Sequence, residues 1–211
     1  GTDSIRVRWP RKNTSHSLSV AVTNSFGCSS STTKDVFLNT KPDSVIYGPD
    51  TICELSSATY SSQNGTTYSW SVTNGNIASG AGTDSVFVNW PRKNTSHNLA
   101  VSITNKNGCS SSISKDVFVQ SKPDSVILGP DSLCELSSAR YIASPGTSYL
   151  WSVSNGSIAA GQGNDTISVD WPLKDTAHNL SVVITNQFGC TSNVTKLINI
   201  HAKPDSFITG P

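Results

Sequence analysis

The chain repeats itself at one fixed period, and that period constrains its fold more than any single motif. Trp9, Trp90 and Trp171 stand 81 apart, each followed by Pro. Cys28, Cys109 and Cys190 keep the same step, each preceded by Gly. Cys53 and Cys134, Tyr60 and Tyr141, Trp70 and Trp151, and Gly-Pro at 48, 129 and 210 obey it too, without insertion or deletion. Residues 1–48 match residues 82–129 at 33 of 48 positions, the mark of recent duplication. Lys-Pro-Asp-Ser at Lys41, Lys122 and Lys203 is the natural linker. Cutting there gives a partial unit at 1–41, full units at 42–122 and 123–203, and the start of another at 204–211. Residues 1–41 read as the C-terminal half of a truncated unit, so the chain reads as a fragment of something longer. That also accounts for the missing signal peptide.

The units are all-β by composition and pattern. Ser, Thr, Asn and Gly supply 90 of 211 residues, there is no Met and there are only two Glu, a poor stock for helices. Short alternating runs are separated by turn residues at the spacing of a β-sandwich. Tyr68-x-Trp70-x-Val72 alternates and meets Asn74-Gly75, a hairpin dipeptide. Val86-x-Val88-x-Trp90, Leu99-x-Val101-x-Ile103 and Ile113-x-Lys115-x-Val117-x-Val119 alternate as well. Substitution between units separates the faces. Ile5/Val7, Val86/Val88 and Ile167/Val169 stay apolar, while the position between them reads Arg6, Phe87 and Ser168. Side chains alternate along a strand, so the constant phase is the core, and it includes Trp70, Trp90, Trp151 and Trp171. Phe37 and Phe118 become Asn199, which places them outside.

Each full unit carries two Cys at the same separation: Cys53 with Cys109, and Cys134 with Cys190. Zinc wants clustered ligands at short spacing, and none occur. Structural disulfides Cys53–Cys109 and Cys134–Cys190 are the expectation, with buried free thiols as the alternative. Each bridge would stabilise by about 4 kcal/mol in the chain-entropy account. The partner of Cys28 is then missing from the chain. Disulfides imply an oxidising compartment: periplasm, cell surface or secreted.

The order of motifs within a unit is Gly-Pro-Asp-x-x-Cys, Tyr, Tyr-x-Trp-x-Val, Gly-x-Ile-x-x-Gly, Asp-Ser-Val-x-Val-x-Trp-Pro and Thr-Asn-x-x-Gly-Cys. This order resembles the PKD-like (polycystic kidney disease-like) immunoglobulin-fold repeats of large Bacteroidota surface proteins, over essentially the whole chain. The resemblance implies tandem immunoglobulin-like β-sandwiches in a linear array. It also implies a setting such as gliding-motility adhesins exported by the type IX system, at the bacterial surface. Nine of the twelve Asp precede Ser or Thr and then an apolar residue. That resembles the Bacteroidota O-glycosylation signal, with Ser4, Ser44, Thr51, Ser85, Ser125, Ser132, Thr166, Thr176 and Ser206 as candidate acceptors. The competing reading is a turn-ending Asp followed by a strand-opening hydroxyl residue.

Other chemistry finds little footing. His16, His97 and His178 recur alone, without convergent partners, and read as loop histidines. Asp43, Asp50 and Asp84 and their equivalents offer oxygen ligands, so linker Ca²⁺ is the one cofactor considered; no other cofactor and no metal site is expected. Arg11-Lys12 and Arg92-Lys93 read as solvated surface, since Leu173-Lys174-Asp175 replaces them. The Ser residues lack a nucleophile-elbow context, and no catalysis is expected. A net charge of +1 argues against nucleic acid, and no apolar run approaches the roughly 20 residues of a membrane span.

The expected role is a structural stalk or filament segment of a large cell-surface adhesin, projecting a binding tip. Its partners are neighbouring repeats, with lateral or end-to-end self-association and surface polysaccharide as further candidates. Carbohydrate- or host-ligand-binding modules, and spacer repeats of a secreted enzyme, are the alternatives.

Overall fold

The computed structural model describes residues 3–10, 14–92, 97–172 and 178–204. Among them every regular element is a β-strand. The partial unit forms a hairpin of β1 (Ser15–Thr23) and β2 (Ser29–Phe37). The first full repeat forms β3 (Thr51–Cys53), β4 (Ser57–Ser61), β5 (Thr67–Thr73), β6 (Asn76–Ser79) and β7 (Ser85–Asn89). It continues with β8 (Asn98–Thr104), β9 (Ser110–Asp116) and β10 (Phe118–Gln120). The second repeat forms β11 (Ile127–Leu128), β12 (Ser132–Cys134), β13 (Ser137–Ala143) and β14 (Ser148–Ser154). It ends with β15 (Ser157–Ala160), β16 (Thr166–Trp171), β17 (His178–Thr185) and β18 (Thr191–His201).

The chain divides into two compact units that are offset from the sequence repeats. Unit 1 is Gly1–Asp50, Ser57–Trp90 and Asn94–Phe118. Unit 2 is Thr51–Ser56, Pro91–Lys93 and Val119–Pro211, so it takes a short segment carrying Cys53 from the preceding repeat.

Unit 2 contains a four-stranded sheet β11-β13-β16-β15 and a four-stranded sheet β12-β18-β17-β14. All their pairings are antiparallel except one. β12 runs parallel to β18, with Ser132, Leu133 and Cys134 beside Asn199, Ile200 and His201. The constant phase of both sheets meets in one core of Tyr141, Trp151, Ile167, Val169, Trp171, Leu180, Val182, Ile184 and Ile198. This is the immunoglobulin-like β-sandwich that the alternation calls for. In unit 1 the sheets β4-β7-β6 and β5-β8-β9 repeat the pattern, with Tyr60, Trp70, Val86, Val88 and Trp90 buried. Phe37, Phe87 and Phe118 stand exposed on the opposite phase.

Two glycines of the repeat make room for these aromatic rings. Gly48 holds φ at +135°, and a Cβ there would lie 2.4 Å from Tyr60 Cδ1. Gly75 answers a different need from the one its sequence suggests. β5 pairs with β8 and β6 with β7, so Asn74-Gly75 does not close a hairpin; it hands the chain from one sheet to the other. Asn74 takes the left-handed φ of 55°, while a Cβ on Gly75 would lie 3.0 Å from Trp90 Cζ3. That Cβ would also lie 2.8 Å from Val72 Cγ2, so the close approach of the turn to Val72 and Trp90 together is what calls for glycine there.

The β1–β2 hairpin carries the same apolar phase without an opposing layer among the described residues. Val20 and Val22 are 52% and 63% exposed, whereas their counterparts Val101 and Ile103 are 1% and 0% exposed. Ile5 and Val7 are likewise exposed.

Because face and not residue type sets the energetic weight, neighbouring substitutions in β7 separate cleanly. Val88→Ala removes buried methyl groups and should lower unfolding free energy by about 1.5–3 kcal/mol in urea titration. Phe87→Ser, which copies Ser168, should change it by less than about 0.5 kcal/mol. Equal losses would mean that the two faces are not distinguished by burial.

Candidate functional site

The feature with the most chemical content is a covalent strap in unit 2. Cys53 and Cys190 form a disulfide with Cα atoms 5.5 Å apart and a sequence separation of 137. Cys28, Cys109 and Cys134 are free thiols. This corrects the expected bridges Cys53–Cys109 and Cys134–Cys190. The reason is the parallel register of β12 on β18. Cys134 lies beside His201 at the end of β18, while Cys190 immediately precedes its first residue, Thr191. At ~3.3 Å per residue the ten steps of β18 hold the two cysteines ~30 Å apart, whereas a bridge needs Cα atoms within about 7 Å. The first repeat has the matching arrangement: β3, which ends at Cys53, pairs with β10 (Phe118–Gln120), while Cys109 immediately precedes the first residue of β9, Ser110.

Hydrogen bonds converge on the linker beside the bridge from both sides. The Glu54 N–H donates to the Gln120 carbonyl at 2.8 Å, and the Lys122 N–H donates to Glu54 Oε1 at 3.0 Å. From the other side, the Asn186 side-chain amide donates to the Ser121 carbonyl at 2.8 Å. The Ser192 hydroxyl donates to the Pro123 carbonyl at 2.7 Å. Asn186 also accepts from the backbone N–H of Phe188 and of Cys190, both at 3.0 Å, which fixes the turn that presents Cys190. Linker residues 121–123 are thus engaged by side chains from both flanks. Pro123 restricts both its own φ and that of Lys122. In the chain-entropy account, a bridge at a separation of 137 stabilises by about 5 kcal/mol, more than a bridge of the expected length.

The recurring histidines are core residues, which corrects their reading as loop groups. His97 and His178 are 4% and 2% exposed. Each packs edge-on to the Trp-Pro tryptophan: His97 on Trp90 and His178 on Trp171, with ring centroids 5.7 Å apart in both pairs. Tyr60 and Tyr141 also meet these tryptophans edge-on, at 6.0 and 6.2 Å. The Nδ1 N–H of His178 donates to the Asn155 carbonyl at 2.7 Å, which ties the start of β17 to the sheet-switching turn. A sequence signal was available: His178-x-Leu180-x-Val182 keeps the buried phase. His16, in the uncovered hairpin, shares a 3.0 Å hydrogen bond with Thr14 and tilts against Trp9. Burial pushes the Tyr60 hydroxyl up to about 12, against a smaller opposing pull from the Trp90 indole N–H. Burial alone pushes His97 down.

The remaining candidates are dispersed. Trp70, Trp90, Trp151 and Trp171 are buried, and Trp70 and Trp151 donate their indole N–H to the carbonyls of Thr83 and Asn164 at 2.8 Å. None presents a face to a sugar. Asp50 and its counterpart Asp131 form ion pairs with Lys115 and Lys196. Among the described residues no three His, Cys, Asp or Glu side chains gather to hold a metal ion, at the linker aspartates or elsewhere. Of the candidate glycan acceptors, Ser4, Thr51, Ser125 and Ser132 are exposed, and Ser44, Ser85 and Thr166 are half-buried. Ser132 hydrogen-bonds His201 Nε2 at 2.8 Å. Thr176, Ser206, Arg11-Lys12 and Leu173-Lys174-Asp175 fall wholly or partly outside the described residues. At the turn before the second cysteine, the exposed Phe26 and Phe188 are replaced by Asn107 in the middle repeat. No described helix is long and apolar enough to cross a membrane.

Comparison with known proteins places the repeat. A family profile described as "PKD-like domain" matches twice in tandem, at residues 39–119 and 120–200. No curated protein matches the sequence. Among solved structures, an adhesin with which an Antarctic bacterium binds ice, described as Ca²⁺-stabilised, aligns over 92% of this chain and 58% of its own. It does so at 11% identity and a TM-score of 0.41. The fibronectin(III)-like modules of CbhA from Clostridium thermocellum align over 78% of this chain and 100% of their own, at 10% identity and a TM-score of 0.38. Murine CEACAM1b aligns over 75% and 100%, at 13% identity and a TM-score of 0.32.

Two measurements follow from the site. Peptide mapping without reduction should recover one cross-link, Cys53 to Cys190, with Cys28, Cys109 and Cys134 alkylated. Recovery of a Cys53–Cys109 or Cys134–Cys190 peptide would refute the assignment. The second concerns pH. A histidine whose folded pKa is depressed binds its proton more readily when unfolded, so its contribution to stability is present above the unfolded value near 6.5 and is lost as pH falls below it. Unfolding free energy should therefore decline from pH 7 to pH 5, and His97→Gln should flatten that decline. An unchanged slope in the variant would contradict the burial of a neutral His97.

Proposed function

The chain belongs to the PKD-like domain family, and we propose that it is a load-bearing segment of a long extracellular stalk. The observation that carries this reading is the strap at the linker: Cys53 joins Cys190 across the repeat boundary, with side chains from both sides engaging residues 121–123. A flexible tether has no use for such a boundary. A projecting rod does, because a rod bends first at its linkers. The stalk belongs to an adhesin at a bacterial surface or in the secreted fraction, where an oxidising environment keeps the strap closed. The resemblance to Bacteroidota arrays supports export by the type IX system and a place in gliding motility.

The segment is non-catalytic and holds no cofactor in this reading; its work is geometric. Neighbouring repeats are its main partners. Exposed Asp-Ser and Asp-Thr sites such as Thr51 and Ser125 carry O-glycans that hydrate the stalk. The Phe26/Asn107/Phe188 replacement favours the stalk over a ligand-binding array, since an aromatic platform missing from the middle unit is not a repeated binding site.

Pulling the ends of single molecules tests the reading. Force cannot enter the loop between Cys53 and Cys190 while the disulfide is closed. At ~3.5 Å per residue, reduction should release roughly 480 Å of additional extension from a loop of separation 137. Identical extension with and without reductant would remove the mechanical argument. Independently, the maximum dimension in X-ray scattering should grow by a constant step with each repeat added. A dimension that levels off would contradict a stalk.

A further inference from the structure

The cysteines left free repeat the surroundings of the two that are bonded, half by half. Cys190 sits in a hairpin half-site: its N–H donates to Asn186 Oδ1 at 3.0 Å, Asn186 donates to the Ser121 carbonyl, and Ser192 to the Pro123 carbonyl. Cys109 has the same arrangement. Its N–H donates to Asn105 Oδ1 at 3.1 Å, Asn105 donates to the Thr40 carbonyl at 2.9 Å, and Ser111 to the Pro42 carbonyl at 2.7 Å. The Cys109 thiol already lies 3.8 Å from the Asn39 carbonyl, close to the linker. Cys53 sits in a strand half-site: the Ser56 hydroxyl donates to the Cys53 carbonyl, Glu54 N–H to Gln120, and Lys122 N–H to Glu54 Oε1. Cys134 repeats each of these bonds with Ser137, with Glu135 N–H to His201 at 2.8 Å, and with Lys203 N–H to Glu135 Oε1 at 2.9 Å. Cys134 is exposed.

We propose that Cys134, Cys109 and Cys28 are unclosed halves of the same strap, each completed by the matching half of a tandem neighbour of this repeat. The rule is that the first cysteine of one repeat bonds the second cysteine of the next, at the separation of Cys53 from Cys190, and never the second cysteine of its own. Cys134 takes the Gly-Cys hairpin of a following repeat. Cys109 and Cys28 take the Cys-Glu strand of a preceding one. The idea rests on the array reading above but goes beyond it, because an array can be a stalk with any cysteine pairing.

Closure is an oxidation and needs a disulfide acceptor, either oxidised glutathione or an exchange-active protein disulfide. The Cys134 thiolate attacks the acceptor's disulfide, forming a mixed disulfide and releasing one thiolate. The neighbour's hairpin thiolate then attacks the Cys134 sulfur, which forms the strap and releases the second. Two protein thiols are oxidised, one acceptor disulfide is reduced to two thiols, and the two protons lost by the protein end on those thiols.

The test lengthens this chain by one copy of residues 123–203, placed directly after Lys203, and folds it with reduced and oxidised glutathione. Digestion without reduction, followed by mass spectrometry, reads the pairing. The expected result is two cross-links, Cys53 to Cys190 and Cys134 to the added copy's Cys190. The thiols alkylated are then Cys28, Cys109 and the added copy's Cys134. In the lengthened chain, Cys134→Ser should leave the added copy's Cys190 alkylated without disturbing the Cys53–Cys190 cross-link. The proposal is overturned if Cys134 stays free while Cys53–Cys190 forms, if the added copy's two cysteines bond each other, or if neither strap forms. None of these outcomes alters the scattering increment by which the stalk reading is judged.

Discussion

Everything distinctive about this chain depends on the short parallel contact of β12 with the far end of β18. An antiparallel sandwich built from hairpins brings sequence neighbours together. Here a three-residue strand is laid instead alongside the terminus of the longest strand in the unit. That contact carries the first cysteine away from the second by the whole length of β18. The repeat therefore cannot staple itself, and its two cysteines lie toward opposite ends of one sandwich. The linker hydrogen bonds, the strap and the offset between sequence repeat and compact unit come from the equivalent contact one repeat earlier, where β3, carrying Cys53, pairs with β10.

Much of the fold was legible because the repeat supplies its own comparison. Where Arg6, Phe87 and Ser168 exchange freely between constant Ile or Val residues, inside and outside are told apart with no structure at hand. The buried tryptophans and the outward Phe118 follow from that phase. What stayed hidden was non-local. Nothing in Ser132–Cys134 announces a parallel partner as distant in sequence as Asn199 to His201, since so short a strand carries no alternation to read. Asn74-Gly75 has the composition of a hairpin dipeptide, yet its glycine answers to the close approach of Val72 and the Trp90 indole and not to hairpin geometry. The histidines were misjudged for a third reason. Their phase with Leu99 and Leu180 marked them as interior, but residue type argued against it.

The row Tyr–Trp–His shows how the core tolerates such a residue. In each full repeat the central indole is met edge-on by a phenol and an imidazole, so polar rings are used as packing blocks. Aromatic pairs in this edge-to-face arrangement contribute about 0.5–1.5 kcal/mol beyond their burial. They also join strands from both sheets: Tyr60 on β4, Trp90 just after β7, and His97 just before β8.

The closed loop from Cys53 to Cys190 has a consequence for resistance to proteolysis. A protease that cuts the backbone once anywhere inside that loop leaves two fragments still joined through sulfur, with the packed strands available to hold them in place. Since the loop is longer than the repeat period, consecutive loops of this kind overlap. In such a chain a single nick severs nothing, and damage must strike twice within one loop before material is shed.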